Sequence, residues 1–187
     1  MSTIGFDTSN YTTSTAWTDG KTDINVRQIL YVKDGERGIR QSDGVFQHMK
    51  LMPVMYEKLS EQIDFKDVKA VGVSTRPRCV EGSYMPVFLA GEGYAKVVAN
   101  TLGVPLYEFS HQDGHIMAGI YSSGSFELLE NDFISVHLSG GTTEILKSRY
   151  NGFNFDNEII GGSKDISAGQ FIDRVGVKMG LHFPAGK

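Results

Sequence analysis

The chain has 187 residues, with 18 Lys and Arg against 22 Asp and Glu for a formal net charge of −4. It is therefore long enough to bury a core without cross-links and exerts no overall pull on nucleic acid or anionic lipid. Hydrophobic residues at 40% and charged residues at 21% exclude a disordered or collagen-like chain, and a lone cysteine, Cys79, excludes a disulfide within the chain.

In chain order, residues 3–6 and 13–17 are predicted strands flanking the polar turn Asp7-Thr8-Ser9-Asn10, with a third strand at 26–32. Val45, Met49, Met52, Tyr56, Leu59 and Ile63 recur at helical spacing, so 42–63 is a helix that Pro53 is expected to kink or split. A β-rich run at 68–74 precedes Arg76-Pro77-Arg78, and 83–102 is a helix with Pro86 in its first turn and Gly103 as its C-cap. A strand at 104–109 runs straight into His111-Gln112-Asp113-Gly114-His115 at a helix start. Strands at 133–138 and 143–146 flank Ser139-Gly140-Gly141-Thr142, and a helix follows at about 165–179. The repetition of a glycine-turned hairpin after a βββαβα run predicts two related α/β halves, residues 1–126 and 127–187, the second stopping before it is complete. The start of the chain has no basic stretch followed by an apolar run, and no apolar run reaches about eighteen residues. The expectation is a cytoplasmic protein with no membrane partner.

Three features carry chemistry. Asp7-Thr8-Ser9 and Ser139-Gly140-Gly141-Thr142-Thr143 are small hydroxyl and glycine turns that admit an anionic oxygen close to backbone N–H groups, and the Asp7 carboxylate suits Mg²⁺ beside a polyphosphate. Two such turns facing each other would clamp a nucleotide, although either alone is better explained as an Asx or ST turn satisfying itself. His111 and His115, four apart on a helix, project from one face roughly 6 Å apart along the axis and form a bidentate metal clip. They serve as readily as a capping and hydrogen-bonding pair at a helix start. Gln112 stands where a zinc protease of the HExxH type has its glutamate, so hydrolysis by that route is not expected. Arg76 and Arg78 lie where a loop of an α/β sheet meets a ligand crevice, or simply on a solvated loop.

Taken together, Gly5-Phe6-Asp7-Thr8-Ser9, Gly72-Val73, Gly103-Val104-Pro105 leading into His111-x-x-x-His115, Ser139 to Thr143, Ala168-Gly169-Gln170-Phe171-Ile172-Asp173 and Gly180-Leu181-His182-Phe183-Pro184 resemble the Kae/TsaD/Gcp family. These proteins are tRNA threonylcarbamoyladenosine synthases, formerly labelled O-sialoglycoprotein endopeptidases. The resemblance implies an actin-like ATPase fold of two RNase H-like halves, binding ATP with Mg²⁺ or a threonylcarbamoyl-adenylate. It also implies transfer of the threonylcarbamoyl group to the tRNA adenosine beside the anticodon. His111 and His115 match the family's ligands for one iron or zinc ion, Ser139, Gly140, Gly141, Thr142 and Thr143 its substrate-binding hairpin, and Asp173 and Gly186 its nucleoside contacts.

The chain departs from the family at Arg76-Pro77-Arg78, where a Gly-Pro-Gly loop is usual, and at Thr142, where the hairpin carries histidine. It departs also at 161–165, where an acidic motif is altered, and in lacking a later Asn and metal-binding Asp. Two functions compete: the metal- and nucleotide-binding transferase, with tRNA engaged through a complex, and a non-catalytic partner that dimerises with an active family member or with itself. The endopeptidase of the older label is disfavoured by Gln112 and by the absence of a Ser-His-Asp or Cys-His pattern.

Overall fold

The structure, a computed structural model, describes the chain apart from Asn10, residues 34–37, Gly140, Phe183 and Lys187. Its contacts divide it into two units, residues 1–114 and 115–187.

The first unit is built on a five-stranded sheet. Strands β1 (Ser2–Asp7), β2 (Thr12–Thr18) and β3 (Asp23–Ile29) form the antiparallel meander expected from the sequence, the third lying nearer the N-terminus than predicted. Helix α1 (Gln41–Ser60) leads to β4 (Val68–Arg76), and α2 (Phe88–Leu102) connects β4 to β5 (Leu106–Ser110). The spatial order is β3-β2-β1-β4-β5, with β1, β4 and β5 parallel to one another. Burial follows the period-two pattern of β1, so Ile4 and Phe6 enter a core with Val68, Val71 and Val73 of β4, Met52 and Leu59 of α1, and Ala95 and Ala99 of α2. The alanines let α2 approach the sheet closely, and Gly103, at φ 66° with left-handed geometry, ends the helix as anticipated.

Two local differences from the sequence reading have physical causes. Helix α1 runs through Pro53 without breaking. Proline at 53 has no N–H to donate to the carbonyl of Met49, and the Tyr94 hydroxyl of α2 donates to that carbonyl at 3.0 Å instead. The inward face is carried by Gly44, His48, Met52, Met55 and Leu59, so Met49 is exposed and a histidine occupies the core. His48 Nδ1 lies 2.7 Å from the Thr13 hydroxyl, a buried polar pair that satisfies both groups. Helix α2 begins at Phe88 rather than 83, because Pro86 and Val87 lie in the preceding turn, whose carbonyls accept from Leu89 and Ala90.

The second unit contains most of α3 (His111–Ser123), which starts in the first unit, then a meander of β6 (Phe133–Leu138), β7 (Thr143–Tyr150) and β8 (Phe155–Gly162), and finally α4 (Ala168–Lys178). Ile116 and Ile120 of α3 bury with Leu146 of β7 and Phe155 of β8, flanked by Phe133, Tyr150, Leu128 and Leu129. Ser167 caps α4 by accepting from the Gln170 N–H. Among the described residues no helix is long and apolar enough to cross a membrane.

Candidate functional site

Because β1, β4 and β5 are parallel, their carboxyl ends share one edge of the sheet, where open α/β sheets place their ligands. Asp7 ends β1, Ser74 lies near the end of β4, and β5 finishes at Ser110 immediately before His111. This topology brings together residues 104 apart in sequence: Asp7 Oδ2 lies 2.9 Å from His111 Nδ1. The other oxygen, Oδ1, accepts from both the Ser9 N–H, at 2.8 Å, and the Ser9 hydroxyl, at 2.5 Å.

Burial by itself pushes the Asp7 carboxyl pKa upward. Hydrogen bonding and charge from His111, with hydrogen bonds from Ser74 and Ser9, outweigh it and hold the pKa down at about 2. Asp7 is thus an ionised carboxylate held against the first imidazole of α3, a contact that sets the tautomer and direction of His111. The Asx turn that the sequence allowed for Asp7 and Ser9 is present as well.

Thr8 turns the other way. Its side chain is fully buried, and its hydroxyl donates to Val87 O at 2.8 Å and accepts from the Gly91 N–H at 3.0 Å. It joins the turn after β1 to the start of α2.

The start of α3 is fixed by a reciprocal capping box that the sequence reading passed over. Ser110 Oγ accepts from the Asp113 N–H at 3.1 Å, and Asp113 Oδ2 accepts from the Ser110 N–H at 3.1 Å and hydroxyl at 2.6 Å. The Ser-x-x-Asp signature was legible in Ser110-His111-Gln112-Asp113. The Gln112 N–H donates to Pro77 O at 3.0 Å, tying the Arg76-Pro77-Arg78 loop to the same helix start. Within that loop Arg76 reaches Thr75 Oγ1 and the Cys79 sulfur, at 3.2 and 3.7 Å. The continuous helix α3 carries His115 one turn beyond His111.

In the second unit the hairpin between β6 and β7 closes on itself. The Ser139 N–H donates to Thr142 O at 2.8 Å, and Ser139 Oγ accepts from the Gly141 and Thr142 N–H groups at 3.2 and 2.9 Å. Gly140 lies outside the described residues. Thr143 Oγ1 accepts from the Ala168 N–H at 2.7 Å, so this hydroxyl holds the first turn of α4. Asp173, on α4, accepts from the Ala185 N–H at 2.8 Å and pins the segment beside Gly186, where an added Cβ would meet Ile172 at 3.7 Å.

Comparison with known proteins decides the family. The sequence profile of TsaD, tRNA N6-adenosine threonylcarbamoyltransferase, matches residues 36–187. The chain belongs to the TsaD family. Curated relatives named tRNA N6-adenosine threonylcarbamoyltransferase include those of Christiangramia forsetii, 32% identical over 73% of this chain and 38% of the relative, and Clostridium kluyveri, 32% identical over 74% and 38%. That of Streptococcus pneumoniae is 36% identical over 70% and 36%. The chain therefore spans under two-fifths of the length of these TsaD relatives.

Among solved structures, YeaZ from Pseudomonas aeruginosa superposes with a TM-score of 0.52 at 12% identity, covering 90% of this chain and 70% of that one. The ethanolamine utilization protein EutJ from Carboxydothermus hydrogenoformans gives 0.54 at 16% identity, covering 98% and 58%. These likenesses bear out the actin-like ATPase fold.

Proposed function

We propose that this TsaD-family chain carries the metal- and nucleotide-binding portion of a threonylcarbamoyl transferase that modifies tRNA adenosine. The observation that carries the proposal is the Asp7–His111 contact at 2.9 Å, at the start of the helix that bears His115.

The donor set, two imidazoles, is of a kind that iron or zinc accepts, while among the described residues no three His, Cys, Asp or Glu side chains gather into a metal-holding group. With His111 Nδ1 engaged by a carboxylate, the Nε2 atom is the one presented to a ligand, and His115 follows on the same helix. When bound, such an ion supplies Lewis acidity towards a carbonyl or carboxylate oxygen of the acyl donor.

The chain's own residues do the rest. Asp7 fixes the ring plane and tautomer of His111, while the Ser110–Asp113 box and the Gln112–Pro77 hydrogen bond fix the helix start from which both histidines project. Ser9 and the Asp7 carboxylate are assigned to ATP with Mg²⁺ or to the adenylate, with Thr8 positioning their turn on α2. In the second unit, Ser139, Gly140, Gly141, Thr142 and Thr143 are assigned to binding a nucleotide or acyl-adenylate, and Asp173 and Gly186 to a nucleoside. tRNA would be engaged through a complex, and a cytoplasmic setting accords with that substrate.

The test is the metal content per chain of protein purified without an affinity tag, compared with the His111→Ala, His115→Ala double variant. Near-stoichiometric iron or zinc that disappears in the variant is the expected result. Equal metal in both, or none in the wild type, overturns the assignment.

A second reading is favoured by exposed apolar side chains on two helices of the first unit: Phe46, Met49 and Val54 of α1 and Leu89 and Val97 of α2. On this reading the chain is a non-catalytic partner that pairs through these helices with an active member of its family or with a second copy. A Val54→Glu, Val97→Glu variant separates the readings, because it abolishes pairing without touching His111 or His115. A chain that is monomeric and unresponsive to family members before the substitution rules this role out.

A further inference from the structure

We infer that β6 is a self-pairing edge: two copies of the chain join antiparallel along this strand, centred on Val136, and the three-stranded sheets of their second units become one six-stranded sheet. The inference concerns a surface that neither reading above uses and stands independently of both.

The described residues present four edge strands, β3 and β5 in the first unit and β6 and β8 in the second. An edge strand turns the N–H and C=O groups of every second residue away from its own sheet, a template for another strand unless charge, proline or a bulge guards it. Three of the four are guarded. Asp23 and Arg27 lie in β3, Glu108 in the short β5, and Asp156 and Glu158 in β8, whose pairing with β7 also shifts register between Ile145 and Leu146. In contrast β6, Phe133-Ile134-Ser135-Val136-His137-Leu138, has no Asp, Glu, Lys, Arg or Pro, and it pairs with β7 in unbroken register.

The residues of β6 select a second copy as the occupant. Ile134, Val136 and Leu138 share one face and are 58%, 61% and 61% exposed, while Phe133, Ser135 and His137 are half-buried on the other. In an antiparallel pair centred on Val136, Ile134 stands opposite Leu138 of the other copy, Val136 opposite its own equivalent, and Ser135 opposite His137. Each apolar side chain of the exposed face then has an apolar neighbour across the junction, the contact that stabilises paired strands. Ile145 of β7, exposed and opposite Val136, extends the apolar strip to the next strand. A one-residue slip would instead join the exposed face of one sheet to the covered face of the other, so the face pattern fixes the register. With one unguarded edge per copy in the second unit, the two-fold pairing closes at a dimer.

The experiment is sedimentation velocity of the whole chain, untagged, over a range of concentrations, on the wild type and on Val136→Lys and Val136→Glu. The wild type is expected to pass from monomer to dimer as concentration rises. Either variant alone should weaken the pairing roughly tenfold or more, because like charges then stand directly opposite each other. An equimolar mixture of the two should pair again, which misfolded variants would not do. In a Cys79→Ser background, oxidation should cross-link Ile134→Cys chains to Leu138→Cys chains and neither to itself, since opposed strand residues have Cα atoms about 4.5 to 5.5 Å apart, within disulfide reach. A wild type that stays monomeric, or a dimer that survives Val136→Lys, overturns the edge pairing. A dimer that survives Val136→Lys but is lost in Val54→Glu, Val97→Glu overturns it as well and assigns self-association to α1 and α2. Assembly that grows past the dimer also overturns it, because a closed two-fold pair leaves no second edge of this kind.

Discussion

Replacing Asp7 by Asn removes a carboxylate while keeping an oxygen able to accept from His111, and so isolates the charge. The folded protein holds this carboxyl at about 2 against an ordinary value of 3.8, a side chain only 27% exposed. A group whose folded pKa is depressed stabilises the native state above its unfolded pKa and loses that contribution as pH falls through the folded one. Linkage converts the difference into about 2 kcal/mol at pH 5 and above, about 1 kcal/mol near pH 3, and little by pH 2.

Urea unfolding of the wild type and Asp7→Asn across that range gives the difference directly, since every other carboxyl titrates in both. The wild type should be the more stable by about 2 kcal/mol at neutral pH, with the gap closing between pH 4 and pH 2. The same measurement in a His111→Ala background should show a smaller gap, because His111 makes the largest favourable contribution to the depression. A gap that is absent at pH 7, that persists at pH 2, or that is indifferent to His111 would refute the reasoning.

The contact between Thr8 and α2 gives a second set of expectations. Thr8→Val leaves the Gly91 N–H and Val87 O without their hydroxyl partner and should cost about 3 kcal/mol by chemical denaturation, whereas Thr8→Ser should cost less. A Cβ at Gly91 would stand 2.9 Å from Thr8 Oγ1, so Gly91→Ala should cost about 1 to 3 kcal/mol, and the penalty should shrink in a Thr8→Ala background; strict additivity would contradict the packing described. Where α2 meets α1, Tyr94→Phe should cost about 1 kcal/mol in the wild type and less with Pro53→Ala, which restores an N–H for the Met49 carbonyl. A double-mutant cycle with no coupling would show that Tyr94 does not replace the missing helix bond.

The elements most legible in the sequence are those whose signal is local. Strand β6 falls on its predicted residues because Phe133 to Leu138 is an apolar run bounded by turn residues, and α2 ends at Gly103 because only a left-handed residue closes the helix there. The fate of Pro53 was not legible. Proline normally breaks a helix by orphaning a carbonyl, and whether that carbonyl finds another donor depends on Tyr94, 45 residues away. His48 was missed for the same reason: its burial against Thr13 follows from which face of α1 meets β2. At the candidate site, the histidine pair on α3 could be read from spacing. Its carboxylate could not, because Asp7 comes near His111 only when β1, β4 and β5 run parallel and end on one edge. Asp7 looked from the sequence like a residue for Mg²⁺ or for its own turn. The structure shows one oxygen on Ser9 and the other on His111, so a single carboxylate couples the turn assigned to nucleotide with the helix assigned to metal. A substitution at Asp7 should therefore disturb both kinds of binding, which two separately satisfied turns would not do.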